Sequence, residues 1–137
     1  MRSRAFLLVL LMLGMSFSTV ASSDSTISSS TTWSGTVVLG GNVTVDSSTT
    51  LVVEPGTIVD AQSYWLQIDG VLEADDAQFM TSETSTSLGS SGAGLWGGIV
   101  ISSGASAVLS NVSISGAESA LEVHGDVTIH ESITISN

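Results

Sequence analysis

The stretch "LEVHGDVTIHE", residues 121–131, holds both histidines of the chain, with Glu122, Asp126 and Glu131 among them. Imidazole and carboxylate together can ligate a divalent transition metal. Period-two alternation puts Glu122 and His124 side by side on one strand face, with Asp126 in a turn and His130 on the next strand. The spacing matches no recognised ligand pattern, and solvated polar positions are the plainer reading, so neither a metal nor a cofactor is expected. Asp75-Asp76 is a second candidate, because paired carboxylates can act as general acid and base on a glycosidic bond. These two fall together in a turn after Leu72-Glu73-Ala74, and no catalytic residue is assigned from them.

Trp65 alternates with the apolar Leu66, which directs its indole outward beside Gln67. An exposed ring next to an amide is a platform for a sugar, so Trp65 and Gln67 are the candidate glycan contact. The competing role for Trp65 is packing beneath residues 23–32. Trp33 and Trp96 each stand near a glycine at the start of a coil and are expected to be packing residues. Asn42-Val43-Thr44 and Asn111-Val112-Ser113 fit the N-glycosylation acceptor triplet, with Asn42, in a turn, the more accessible of the two.

These residues hang on a repeat. Val45 to Leu66, Leu51 to Leu72, Ile58 to Phe79, Val112 to Ile133 and Ile114 to Ile135 are each 21 positions apart. Ile99 to Leu121 is 22 and Leu109 to Ile129 is 20. Period-two alternation nested inside such a period is the mark of stacked strand-bearing coils. The inward pairs predict about four coils, each with three short strands. Helix is excluded by the spacing and by the wealth of Thr, Val, Ile, Ser and Gly. Turn residues fall between the strands at Asp46-Ser47-Ser48, Pro55-Gly56, Asp69-Gly70, Asp75-Asp76 and Gly125-Asp126. Pro55-Gly56 suits the two centre positions of a type II turn.

"TLVVEPGTIV", "LQIDGVLEADDAQFMTS" and "LWGGIVI" resemble segments of secreted right-handed parallel β-helices, the architecture of pectate lyases. The likeness runs over residues 33–137. It implies an all-β fold, a right-handed parallel β-helix of about 21 residues per coil, used on bacterial or archaeal surfaces as a stalk or binding face. It brings no catalytic residues with it.

Arg2 and Arg4 precede the apolar run 5–15 and the small residues of "SFSTVASS". That order reads as a signal peptide over residues 1–22, shorter than a membrane span. A Ser/Thr-rich segment, 23–32, follows, and then the β-helix, 33–137, with a Ser/Thr/Gly loop extruded at 81–94. Beyond Arg4 the chain has 13 carboxylates and no Lys or Arg. Such a surface repels nucleic acid and anionic lipid. With no cysteine, the core alone must hold the fold. The chain ends within a strand pattern, "SITISN", and an uncapped last coil invites self-association. The expected function is a non-catalytic secreted or cell-surface module acting as stalk, adhesive or carbohydrate-contacting face. Its partners would be an extracellular polysaccharide or a surface protein. The alternative is the N-terminal part of a polysaccharide lyase or hydrolase whose active coils lie beyond residue 137.

Overall fold

A computed structural model describes residues 17–19, 24–83 and 95–136 and shows a parallel β-helix. A short strand β1 (Phe17–Thr19) comes first. Coil 1 holds β2 (Ser25–Ile27), β3 (Thr31–Trp33) and β4 (Thr36–Val38). Coil 2 holds β5 (Val43–Val45), β6 (Thr50–Val53) and β7 (Ile58–Asp60). Coil 3 holds β8 (Trp65–Ile68), β9 (Val71–Asp75) and β10 (Gln78–Met80). Coil 4 holds β11 (Gly98–Ile101), β12 (Ser106–Ser110) and β13 (Val112–Ser115). Coil 5 holds β14 (Leu121–Val123), β15 (Asp126–Ile129) and β16 (Ile133–Ser136).

Like strands stack into three parallel sheets. Sheet A runs β1-β4-β7-β10-β13-β16, sheet B runs β2-β5-β8-β11-β14, and sheet C runs β3-β6-β9-β12-β15. The expected register appears at five of the seven pairs. Leu51 pairs with Leu72, Val112 with Ile133, Ile114 with Ile135, Ile99 with Leu121 and Leu109 with Ile129. Alternation sends one set of side chains into the bore, where Leu51, Leu66, Leu72, Phe79, Ile99 and Leu109 are buried. Each such side chain contributes about 1.5–3 kcal/mol. Trp33 and Trp96 are buried as expected, and the Trp96 indole N–H donates to the Ser115 carbonyl at 2.7 Å.

Two of the seven expected pairs are displaced, both by a corner of different length. Leu66 stacks on Val43, and Val45 on Ile68, 23 positions apart. The connection after Asp60 has one residue more than that after Val38, and Gln62 takes it up at a φ of 56°. Ile58 does not enter the bore. It pairs with Gln78 and is 39% exposed, while Val59 faces inward on Phe79. Here the corner from Glu54 to Thr57 is one residue longer than the corner above it, from Asp75 to Ala77. Thr57 N–H closes the longer corner on the Glu54 carbonyl at 3.1 Å, and Gly56 sits at a φ of 84°, as a type II turn requires. The shorter corner turns on Asp76 alone, at a φ of 49°.

The described residues make five coils where the apolar pattern predicts four. Residues 25–33 are not a prelude but two strands of coil 1. Their inward positions include Ser25 and the half-buried Thr31, and hydroxyls at those positions hide the strand alternation. Among the described residues, the buried Ser25 hydroxyl has no hydrogen-bond partner. Phe17–Thr19, inside the expected signal peptide, pairs with β4. Of the expected loop, residues 81–83 are held to the coil below: Ser82 N–H donates to Asp60 Oδ1 at 3.0 Å. Residues 84–94 lie outside the described residues. Gly70 is required by close approach, since a Cβ there would collide with the Asp46 and Thr49 carbonyl oxygens.

Candidate functional site

On sheet C every second side chain points away from the bore, and the parallel register stacks these side chains into rows about 4.8 Å apart per coil. One row is Thr32, Val52, Glu73, Val108 and Thr128. Beside it runs a second row, Glu54, Asp75, Ser110 and His130. Asp75 pairs with Ser110, Glu54 follows the Val53–Ala74 pair, and His130 N–H donates to the Leu109 carbonyl at 2.9 Å. Between the rows lies an open trough of about 720 Å³ that includes Val52, Glu54, Pro55, Glu73, Asp75, Val108, Ser110 and His130 in its lining. The longer corner of coil 2 supplies Glu54 and Pro55 at the lower end, and His130 stands at the upper end.

The trough alternates carboxylates with short apolar surfaces. Glu54, Glu73 and Asp75 offer hydrogen-bond acceptors from exposed positions. Val52, Pro55 and Val108 offer C–H contacts between them. With no Lys or Arg beyond Arg4, the carboxylates make the local potential negative. The arrangement can therefore accept hydrogen bonds from hydroxyl or amine groups of a ligand lying across several coils, and it repels anions.

The residues singled out in the sequence separate onto different faces. Asp75 lines the trough, whereas Asp76, one residue on, turns the corner and lines a neighbouring depression. The two acids therefore do not share a site, and the positive φ of Asp76 accounts for its residue type. His124 and Glu122 lie on sheet B, joined by a 2.7 Å contact between Nε2 and Oε1 at an exposed position. Asp126 and His130 belong to sheet C and its corner, so the strand geometry divides the candidate metal ligands. Among the described residues, no group of three or more His, Asp or Glu could hold a metal ion.

Trp65 and Gln67 lie on the outer face of sheet B, away from the trough. Trp65 is half-buried and packs against Gly97 of the next coil, where an added Cβ would approach the Trp65 Cβ to 2.6 Å. The Gln67 amide donates to Asp69 Oδ1 at 2.9 Å, and Ser102 Oγ donates to the same oxygen at 2.6 Å. The Ser102 and Gln67 hydrogen bonds hold the Asp69 carboxyl below its usual value, with burial opposing them. Asp69 thereby ties coil 3 to coil 4. Asn42 is not the more accessible acceptor. It is half-buried, its Oδ1 accepts the Trp65 N–H at 3.1 Å, and its own N–H donates to Asp24 Oδ1 at 3.0 Å. Asn111 is the exposed one.

Glu54, Glu73, Ser110, Val52 and Val108 are trough residues that sequence reasoning misses. The 21-residue step does relate Glu54 to Asp75, but it identifies a face only once the outward rows are aligned. No protein-family model, curated protein or solved structure matches this chain.

Proposed function

We propose that this protein is a non-catalytic, secreted or cell-surface β-helix module that contacts an extended carbohydrate along the outer face of sheet C. The observation that carries the reading is the trough, a rigid lattice of carboxylate, hydroxyl and apolar groups fixed at one coil per step. Hydroxyls of a sugar chain are donors for Glu54, Glu73 and Asp75, and its C–H faces suit Val52, Pro55 and Val108. The negative potential favours neutral or amine-bearing chains over uronates. Export is supported by the leader-like residues 1–22.

Binding of a panel of neutral, amino and acidic polysaccharides, read by calorimetry, tests this. Glu54→Gln with Asp75→Asn keeps the shape of the trough and should weaken binding roughly 10-fold, the loss expected for hydrogen bonds to charged acceptors. A parent protein that binds none of the panel would leave only the stalk. Trp65→Ala separates the second candidate contact from the trough. Lost binding at unchanged melting temperature would move the site to sheet B, whereas lower stability with binding retained marks Trp65 as a packing residue.

A second reading, the N-terminal part of a polysaccharide lyase or hydrolase with active coils beyond residue 137, is favoured by the carboxylates that Glu54 and Asp75 present on adjacent coils. New reducing ends, or unsaturated product, appearing in the same binding mixtures would select it.

A further inference from the structure

We propose that Asn111 carries an N-linked glycan, and that this glycan runs down an adjoining depression to cover Ile58. The proposal rests on the reading of residues 1–22 as a leader into an export route. Two independent features converge on the position. The first is the acceptor itself. Asn111-Val112-Ser113 is an acceptor triplet, and Asn111 stands exposed at the corner before β13 with a φ of 53°. Its side-chain hydrogen bond is made through Oδ1, which accepts from Ser132 Oγ at 3.4 Å. The amide nitrogen, the atom a glycan needs, takes no part in it. The other triplet is built differently. The Asn42 carboxamide is half-buried and bound to the Trp65 N–H, so a sugar on its nitrogen would crowd the junction between coils 2 and 3.

The second feature is the surface beside Asn111. A depression of about 300 Å³ is lined by Gly56, Ile58, Asp76, Gln78 and Ser113 together with Asn111. Ile58, Gln78 and Ser113 are successive members of one outward row of sheet A, so Ile58 lies two coils, about 10 Å, below Ser113. That is the reach of the first sugars of a chain. Ile58 is also the one exposed large hydrophobic among the described residues outside coil 5. A glycan on this path hides it, with Gln78 and Asp76 placed to hydrogen-bond the sugar hydroxyls.

The chemistry requires an oligosaccharide linked to a polyprenyl diphosphate and a transferase of the export route. The Asn111 Nδ2 forms a bond to the anomeric carbon, the bond from that carbon to the diphosphate oxygen breaks, the polyprenyl diphosphate leaves, and the amide proton passes to the base of the transferase.

The test is expression of the full chain in a eukaryotic host that performs N-glycosylation, once with residues 1–22 and once with the host's own leader in their place. Glycopeptides from both medium and cells are mapped by mass. Occupancy at Asn111 in both arms, abolished by Ser113→Ala and retained in Asn42→Gln, is the expected result. Occupancy only with the host leader would uphold the acceptor and sink the leader reading, whereas an unmodified Asn111 in both arms overturns the proposal. Ser113→Ala is preferred to replacing Asn111, because it removes the glycan while leaving asparagine in its positive-φ corner. Melting curves then decide the path of the sugar. Loss of the glycan through Ser113→Ala should lower the melting temperature by a few degrees in the parent and by almost nothing in Ile58→Ser. An equal drop in both backgrounds would show that the glycan does not lie on Ile58.

Discussion

Coils 4 and 5 carry the same inward chemistry and are covered very differently. Ile101, Leu109 and Ile114 of coil 4 are 0% exposed, while their stacking partners in coil 5, Val123, Ile129 and Ile135, are 44%, 51% and 56% exposed. Both sets come from strands in continuous parallel register, so the direction of the side chain is not the cause. In a solenoid each inward residue is sheltered by the coil below and the coil above. Coil 5 has one of these neighbours among the described residues. Facing inward is therefore only half of being buried, and the stability of this fold resides in the contacts between coils.

The sharpest way to break the comparison is to empty the same row at both levels. Leu109→Ala should cost about 2–5 kcal/mol, as cavity formation in a sealed core does. Ile129→Ala, whose side chain is already half in water, should cost less than half as much in parallel denaturant titrations. Equal losses would mean that coil 5 is packed as tightly as coil 4.

A second experiment sharpens the comparison at the open face. The edges of β14, β15 and β16 that are unpaired among the described residues, with the exposed Val123, Ile129 and Ile135, should make a protein of residues 24–136 self-associate despite its negative charge. Replacing all three by Thr should return it to monomer on size-exclusion chromatography. A parent that already elutes as a clean monomer would show that these edges are protected by some other means.

The smallest expected effect concerns electrostatics between coils. Asp69 bridges coils 3 and 4, and its pKa is depressed by Ser102 and Gln67. A depressed carboxylate contributes stability that is fully present above its unfolded value and is lost as the pH falls through the folded one. The melting temperature should therefore fall as the pH drops through and below the ordinary carboxylate range, and Asp69→Asn should flatten part of that fall. In coil 5 the exposed Glu122–His124 pair bridges no coils, and such pairs contribute about 0–1 kcal/mol. Glu122→Gln should leave the melting temperature nearly unchanged. A larger loss than that of Asp69→Asn would reverse the ranking.

The ladder was readable in the sequence wherever apolar residues occupied inward positions and the changes in corner length summed to the 21-residue step, as from Leu51 to Leu72 or Val112 to Ile133. It was unreadable in coil 1, where Ser25 and Thr31 face the bore, because alternation is detected through hydrophobicity and these side chains are polar. It slipped at Ile58 because β-propensity cannot distinguish Ile58 from Val59. Only the length of the Glu54–Thr57 corner decides which of them turns in. The trough was less legible still. Asp75 stands out beside Asp76 and His130 beside His124, neither as a member of this row; the residues that surround them come from coils 2 to 5, and an outward row has no apolar pattern to betray it. Charge type located Asp75-Asp76 as a pair; a turn through positive φ parted them.

Apart from the long connection between β10 and β11, the corners differ by one or two residues while the strand rows keep one spacing, and this makes the molecule modular in a particular sense. Duplicating one entire coil would translate everything above it by one step, about 4.8 Å, without altering any contact inside a coil. A copy of coil 2 or coil 3 would carry its own Glu54 or Asp75 and so lengthen the carboxylate row by one level. Recognition of a longer ligand would thus follow from changing the number of coils alone, with every outward side chain retained.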